Sequence, residues 1–199
     1  MKIIGLAGES GTGKSMIAAH LATRGGAHVE TDLIGHDVLE RDEEARRLIR
    51  ERIGSDVFNG DGHVSRRRLG KKVFTDEALR ETFNGIVHPV IRRECGRRVD
   101  ALRGKGIPFV VIDGALLLSS AMPFEWDLMI ALYCDEEEQV ARLMAKGGRT
   151  EQEVRDRLAS QRAIRESFDR ADVLVDTCRP KAEVLAEIDA LIDDLLSSP

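Results

Sequence analysis

Eight residues near the start of the chain, Gly8-Glu9-Ser10-Gly11-Thr12-Gly13-Lys14-Ser15, fit the pattern G-x-x-x-x-G-K-[ST]. That spacing suits a loop wrapped around nucleotide phosphates. Glycines let the backbone curl until successive N–H groups point at phosphate oxygens. The helix expected from Ser15 adds the positive end of its dipole at the same point. Lys14 would reach the β- and γ-phosphates, and the Ser15 hydroxyl would ligate Mg²⁺. Gly8, Ser10, Gly11, Thr12, Gly13, Lys14, Ser15 and Met16 are therefore the expected ATP-binding set.

Two aspartates follow at places where a phosphoryl transfer needs carboxylates. Asp32 closes the short run His28-Val29-Glu30-Thr31-Asp32, a second strand on this reading. Ligands bind at the carboxyl edge of such sheets, so Asp32 could take the proton of an attacking hydroxyl. The simpler alternative is an N-cap for the helix beginning at Leu33. Asp113 ends the apolar run Phe109-Val110-Val111-Ile112. A carboxylate there would contact Mg²⁺ or its water shell, or it is merely the polar end of a strand. His88-Pro89 says less, since a lone histidine more often packs or hydrogen-bonds than acts as a base. Finally, Arg142, Lys146, Arg149, Arg157, Gln161 and Arg162 lie on two short helices around Gly147-Gly148. A glycine-hinged cap bearing arginines expels water on closing and brings positive charge to the transferring group.

The elements that must hold these residues alternate. Runs at Lys2–Ala7, Phe109–Asp113, Leu128–Tyr133 and Val173–Val175 read as short apolar strands, and His28–Asp32 as a second short strand leading into a loop. Helical patterns cover Ser15–Arg24, Leu33–Ile53, Arg67–Val73, a stretch N-capped by Thr75, Val90–Leu102 after a break at His88-Pro89, Glu136–Ala145, Thr150–Arg165 and Lys181–Leu196. Asn59-Gly60-Asp61-Gly62 is the strongest turn signal. This alternation predicts an α/β fold, a three-layer nucleotide-kinase-like core with a parallel five-stranded sheet. The single domain would divide into a core (1–35, 104–140 and 170–199), a helical substrate-binding lobe near 36–103 and a small helical lid near 141–169.

Composition sets the outer limits. The 199 residues are 42% hydrophobic and 33% charged, with a formal net charge of -5, which argues against a general nucleic-acid binder. Basic clusters at 46–52, 66–72, 92–103 and 155–170 read mostly as solvated helix faces. Cys95, Cys134 and Cys178 are odd in number and contain no CxxC pair, so neither zinc nor a disulfide is expected. No apolar run approaches the roughly 20 residues that span a bilayer, and a start without a charged leader and apolar region sets the expectation that there is no signal peptide. The expectation is a cytoplasmic protein with reduced thiols, a monomer or weak homo-oligomer.

Taken in order, the motifs resemble the dephospho-coenzyme A kinases, the last enzymes of coenzyme A synthesis, from about Ile3 to Leu196. Ile4–Gly8 through Ser15 looks like the family's first motif. Glu30-Thr31-Asp32 is similar to its Asp-Ala-Asp, with the proposed base on Asp32. Gly62–Leu69 with Val73-Phe74 looks like its substrate-lobe signature, His88-Pro89-Val90-Ile91 like its His-Pro motif, and Asp113–Leu117 like Asp-x-Pro-Leu-Leu. Arg142-Leu143-Met144 and 157–161 resemble the lid, and Ala171-Asp172 with Val175-Asp176 the final strand. The resemblance implies ATP and Mg²⁺ as cofactors and transfer to the ribose 3′-hydroxyl of dephospho-CoA. It implies catalysis by Asp32, Lys14 and Arg142, ATP contacts from Arg142 and Thr177, and metal contacts from Ser15 and Asp113. Asp32, Arg66, Phe74, His88, Pro89, Ile91, Arg92, Asp113 and Leu116 become the acceptor-binding candidates, with Arg93 also basic and close to a matched motif. Departures fall at Glu9-Ser10, Met16, Glu30, Ala115, Ser119-Ser120, Lys146-Gly147-Gly148 and Thr177. They leave transfer chemistry in place and bear on the acceptor. Another small hydroxylated acceptor, or a nucleotide-dependent switch without one, remains an alternative.

Overall fold

A computed structural model describes residues 1–114, 117, 118 and 122–198, apart from the side chain of Phe74. The expected candidate Leu116 and the departures at Ala115, Ser119 and Ser120 lie outside the described residues. The chain divides into two compact units, Met1–Glu30 with Val99–Pro199, and Thr31–Arg98.

The first unit is built on one parallel sheet. Strand β1 (Lys2–Gly8) leads through the phosphate loop into helix α1 (Lys14–Thr23), and β2 (Ala27–Glu30) follows. In the second unit come α2 (Thr31–Arg41), α3 (Glu43–Arg52), α4 (Arg66–Thr75) and α5 (Glu77–Leu102), whose last turn belongs to the first unit. The chain then lays down β3 (Phe109–Asp113), β4 (Leu128–Tyr133), α6 (Glu136–Ala145), α7 (Glu151–Ala159), α8 (Arg162–Arg165), β5 (Val173–Asp176) and α9 (Lys181–Ser197).

The sheet order is β2-β3-β1-β4-β5, with every pairing parallel. All five residues of β3 and the last six of β1 are buried, as strands covered on both faces must be. Ile4, Leu6, Phe109, Val111, Ile130 and Leu132 meet Ile17 and Leu21 of α1 and Val184, Ile188 and Ile192 of α9 in one core. Each such side chain withdrawn from water is worth about 1.5–3 kcal/mol. The i, i+4, i+8 spacing on α9 is what turns those three toward the sheet. With β3 on one side of β1 and β4 on the other, the chain reverses direction across the sheet at β1. Ligand crevices form outside the carboxyl ends of strands at such a point.

Several expected boundaries move. The long helix expected over Leu33–Ile53 is two, because the Asp42 carboxylate accepts the N–H of Ala45 at 2.8 Å and starts α3 afresh. Thr31 and Asp32 belong to the first turn of α2 rather than to a strand. Thr75 closes α4, and Asp76 instead accepts the N–H of Leu79 at 3.0 Å to open α5. Ser65 caps α4, accepting the N–H of Arg68 at 3.4 Å. Pro89 does not interrupt α5; it removes one ladder hydrogen bond, to the carbonyl of Gly85, and the helix runs through it. The helix expected over Thr150–Arg165 breaks after Ala159 into α7 and α8. Thr150 does cap α7, in a reciprocal capping box with Glu153.

The thiols also depart from expectation. Cys134 and Cys178 form a disulfide with Cα atoms 5.3 Å apart. Their separation of 44 residues gave no hint of it. The parallel register Tyr133↔Asp176 brings the carboxyl ends of β4 and β5 together, and the two cysteines follow those ends. Cys95 is the free cysteine, and burial pushes its thiol up to about 11.

Candidate active site

The phosphate loop begins where β1 ends, in a place with no room for side chains at two of its glycines. Gly8 has φ 151°, and a Cβ there would lie 2.7 Å from the Leu132 carbonyl oxygen. At Gly11, with φ 84°, a Cβ would lie 3.0 Å from the Gln139 carbonyl oxygen. Only glycine takes these positive φ values cheaply. Thr12, fully buried, donates its hydroxyl to the Glu9 carbonyl at 2.8 Å and ties the loop across its base. Lys14 Nζ donates to the carbonyls of Gly8 at 2.7 Å and Glu9 at 2.9 Å. The ammonium is thus held over the loop.

Gly13, in the left-handed region, is the N-cap of α1, which carries no side-chain cap and no acidic residue in its first turn. An uncapped helix start with no nearby carboxylate on its own turn is an anion site in waiting. Ser15 is exposed there, and Met16 is half-buried with its N–H bonded to Gly13 at 3.0 Å.

Asp113 is 3% exposed at the end of β3, in register with Leu6 of β1 and Glu30 of β2. The N–H of Gly114 donates to the Leu6 carbonyl at 3.3 Å, so the carboxylate sits at the sheet edge from which the loop springs. His28 Nε2 lies 3.1 Å from Asp113 Oδ1. That hydrogen bond raises the imidazole above its ordinary value, against the opposing effect of burial. His28 is a site residue that the sequence reading missed, for no spacing rule marks it.

Mg²⁺ is the metal this fold implies. It prefers oxygen ligands and keeps several waters, so a few protein oxygens beside phosphates suffice. Among the described residues no group of three His, Cys, Asp or Glu could hold a metal alone. The Ser15 hydroxyl and the Asp113 carboxylate supply hard oxygen donors of the right kind, and the residues present fit the ion.

Helices α6 and α7 and the residues after them, the stretch expected as a lid, meet the loop through several residues. Arg142 of α6 donates from Nη1 to the Gly11 carbonyl at 3.3 Å and from Nη2 to the Thr177 carbonyl at 2.7 Å. Thr177, buried after β5, donates its hydroxyl to the Tyr133 carbonyl at 3.0 Å. Arg157 of α7 donates to Ser10 Oγ at 2.8 Å, and the Ser10 N–H donates to Gln161 Oε1 at 2.8 Å. Val140, Val154 and Leu158 bind α6 to α7 as a separate small core. Of the lid residues singled out in the sequence, Arg142, Arg157 and Gln161 reach the loop. Lys146, Arg149 and Arg162 are exposed and do not join them.

Arg165 was missed, and it pairs with the carboxylate of Glu9. Its signal was present only in the sequence: on the single helix expected over Thr150–Arg165 it falls four residues beyond Gln161 and eight beyond Arg157, although the structure breaks that helix after Ala159.

In the second unit, Asp32 is exposed in the first turn of α2. Arg66 is exposed at the first position of α4. His88, Ile91 and Arg92 are half-buried on α5, with Pro89 exposed between them. Burial, helped by the charge of Arg92 one turn on, holds the His88 imidazole below its ordinary value. Ile91 packs so close to Gly35 of α2 that a Cβ there would meet its Cδ1 at 3.5 Å. Arg93 lies 3.6 Å from Asp42. Several other arginines of the basic clusters are paired with carboxylates on helix faces, as Arg47 is with Glu44 and Glu51 and Arg155 with Glu137 and Glu151.

Comparison with known proteins bears on the same residues. A family described as dephospho-CoA kinase matches residues 2–180. The dephospho-CoA kinase of Oceanobacillus iheyensis is 32% identical over 190 residues, covering 96% of each chain. That of Corynebacterium glutamicum is 34% identical over 194 residues, 98% of this chain and 97% of its own. Among solved structures, TT1252 from Thermus thermophilus superposes with a TM-score of 0.78 at 28% identity, covering 98% of this chain and 97% of that one.

Proposed function

The chain belongs to the dephospho-CoA kinase family, and from that premise we propose that it transfers the γ-phosphoryl group of ATP to the ribose 3′-hydroxyl of dephospho-CoA. The products are coenzyme A and ADP. The observation that carries this reading is the family match over residues 2–180, which takes in the phosphate loop, Asp32, Asp113 and the lid arginines together.

The loop geometry supports a division of labour. Backbone N–H groups of residues 8–15 and the start of α1 cradle the β- and γ-phosphates, and Lys14 turns its ammonium to them. Ser15 and Asp113 would hold Mg²⁺, which offsets charge on the phosphate oxygens. Arg142 and Thr177 flank the nucleotide beyond the loop. Asp32 takes the proton of the 3′-hydroxyl as that oxygen attacks the γ-phosphorus in line. The bond from phosphorus to the β–γ bridging oxygen breaks, and ADP leaves with its electron pair. Positive charge from Lys14 and the lid stabilises the charge on the transferring group. The unit Thr31–Arg98 supplies the acceptor-holding residues, with Arg66, Phe74, His88, Pro89, Ile91, Arg92 and, after β3, Leu116 as candidates.

No helix among the described residues is long and apolar enough to cross a membrane, and small-molecule substrates fit a kinase of this family. We place the enzyme in the cytoplasm as a monomer or weak homo-oligomer. Coupled ADP release with a panel of acceptors tests the activity. Stimulation by dephospho-CoA alone supports it; stimulation by a nucleoside or sugar acid instead, or by no acceptor at all, rules it out.

A further inference from the structure

A carboxylate in a phosphate loop opposes the anion the loop must hold, and Glu9 places one at the second position of this loop. Glu9 is 2% exposed. Its carboxylate pairs with Nε of Arg165 and accepts from Gln139 Nε2 at 3.2 Å. Arg165 and Gln139 then converge on one acceptor: Arg165 Nη2 donates to the Cys134 carbonyl at 2.7 Å, and Gln139 Nε2 to the same oxygen at 2.9 Å. The Glu9 side chain is therefore engaged at the end of β4. Its backbone carbonyl serves a different purpose, receiving Thr12 Oγ1 and Lys14 Nζ inside the loop.

We propose that Arg165 is the built-in counter-ion that lets this phosphate loop carry Glu9, and that Glu9 is a positioning residue which holds the Arg165 guanidinium to the end of β4, away from the phosphates. The pair rests on the reading of the loop as a nucleotide site and adds to it a charge lock. With Arg165 removed, the Glu9 carboxylate lies buried without its cationic partner, and the field of its negative charge falls on the nearest anion. That anion is the nucleotide. Each member of the pair therefore has a signed effect on binding. Loss of Arg165 unmasks a negative charge, and loss of Glu9 frees a positive one.

The test is nucleotide binding by calorimetry on the full chain, with ATP alone and no acceptor. Arg165→Met is expected to weaken ATP binding by about tenfold or more, the size expected of one unmasked charge at close range. Glu9→Gln should bind no more weakly than the wild type. The double variant Glu9→Gln/Arg165→Met should return to within about threefold of the wild type, because the opposing charge has gone. Such a rescue is not expected of a residue that only props up the fold. A double variant as weak as Arg165→Met overturns the proposal, since Arg165 would then be acting on the nucleotide itself or on the fold. Should Arg165→Met not fold, Arg165→Lys serves: it keeps the counter-charge, so binding within about threefold of the wild type is expected and a tenfold loss refutes the lock. Turnover with dephospho-CoA is measured in parallel. Failure of turnover with ATP binding intact indicts the acceptor assignment, while a wild type that does not bind ATP indicts the loop reading.

Discussion

Arg142 spans two backbone segments with one guanidinium, reaching the Thr177 carbonyl at 2.7 Å and the Gly11 carbonyl at 3.3 Å. Its Nε meanwhile pairs with Glu138 one turn back on α6, at 2.9 Å. A planar fork of donors is what allows three acceptors in three directions. Helix α6, the segment after β5 and the phosphate loop are thereby fixed to one another at one point.

Lysine cannot reproduce that span. Arg142→Lys keeps the charge and loses at least one of the two backbone contacts, each a hydrogen bond from a charged donor worth about 1.5–3 kcal/mol. The KM for ATP is expected to rise about tenfold or more, while the thermal midpoint shifts only slightly. Steady-state kinetics at saturating acceptor decide it. An unchanged KM would mean the bridge plays no part in holding the nucleotide.

Asp32 carries the proposed proton transfer. Asp32→Asn preserves size and removes the base, so kcat should fall by about 10²–10⁴-fold, the usual contribution of general base catalysis. Because Asp32 is exposed in the first turn of α2, the substitution should leave folding alone. ATP affinity, measured without acceptor, should stay within about threefold. Near-normal turnover would remove Asp32 from the role.

His88 gives stability a pH dependence of known sign. Its folded value lies below the ordinary 6.5 because burial, then Arg92, disfavours the imidazolium. Well above pH 6.5 both folded and unfolded imidazoles are neutral, and the residue contributes nothing. As pH falls from 6.5 toward the lowered folded value, the unfolded chain binds the proton first, and stability is lost. Urea unfolding of wild type and His88→Gln between pH 5 and 8 should show curves that run parallel above about 7 and diverge below, with the variant falling less. Parallel curves throughout would mean the imidazole is not held neutral.

How much of this was legible follows physical range. The phosphate loop was legible because its chemistry is local, eight consecutive residues between a strand and a helix. The buried strands were legible because a parallel strand covered on both faces shows as an unbroken apolar run. Helix ends were harder. Asp42 and Asp76 each win the start of a helix by a single side-chain hydrogen bond, a competition that neighbouring threonines or aspartates could equally have won. His28 was invisible because its partner Asp113 lies 85 residues away, met only through the β2–β3 pairing. Arg165 shared an i, i+4, i+8 spacing with Arg157 and Gln161 on the helix expected over Thr150–Arg165, but nothing in the sequence says that the buried loop residue Glu9 needs a partner.

The disulfide is the sharpest departure from the sequence reading, and counting thiols tests it directly. Denatured without reductant, the protein should show one reactive thiol, Cys95; after reduction it should show three, since Cys134 and Cys178 are then released. In the native state even Cys95 should react slowly, because it is buried and its thiol sits at about 11. The bond closes a loop of 44 residues, for which chain entropy gives about 2–4 kcal/mol of stabilisation. Cys178→Ser should lose that amount, reductant should bring the wild type down to the same level, and reductant should do nothing further to the variant. Nucleotide binding should follow in the same direction, since Thr177, whose carbonyl receives Arg142, is the residue immediately before Cys178. Reduction removes one of the ties between that segment and β4, leaving the Thr177 hydroxyl on the Tyr133 carbonyl, and the KM for ATP should rise by about two- to threefold as ordering the segment becomes part of binding. Three thiols in the denatured, unreduced protein would dismiss the bond and with it both consequences.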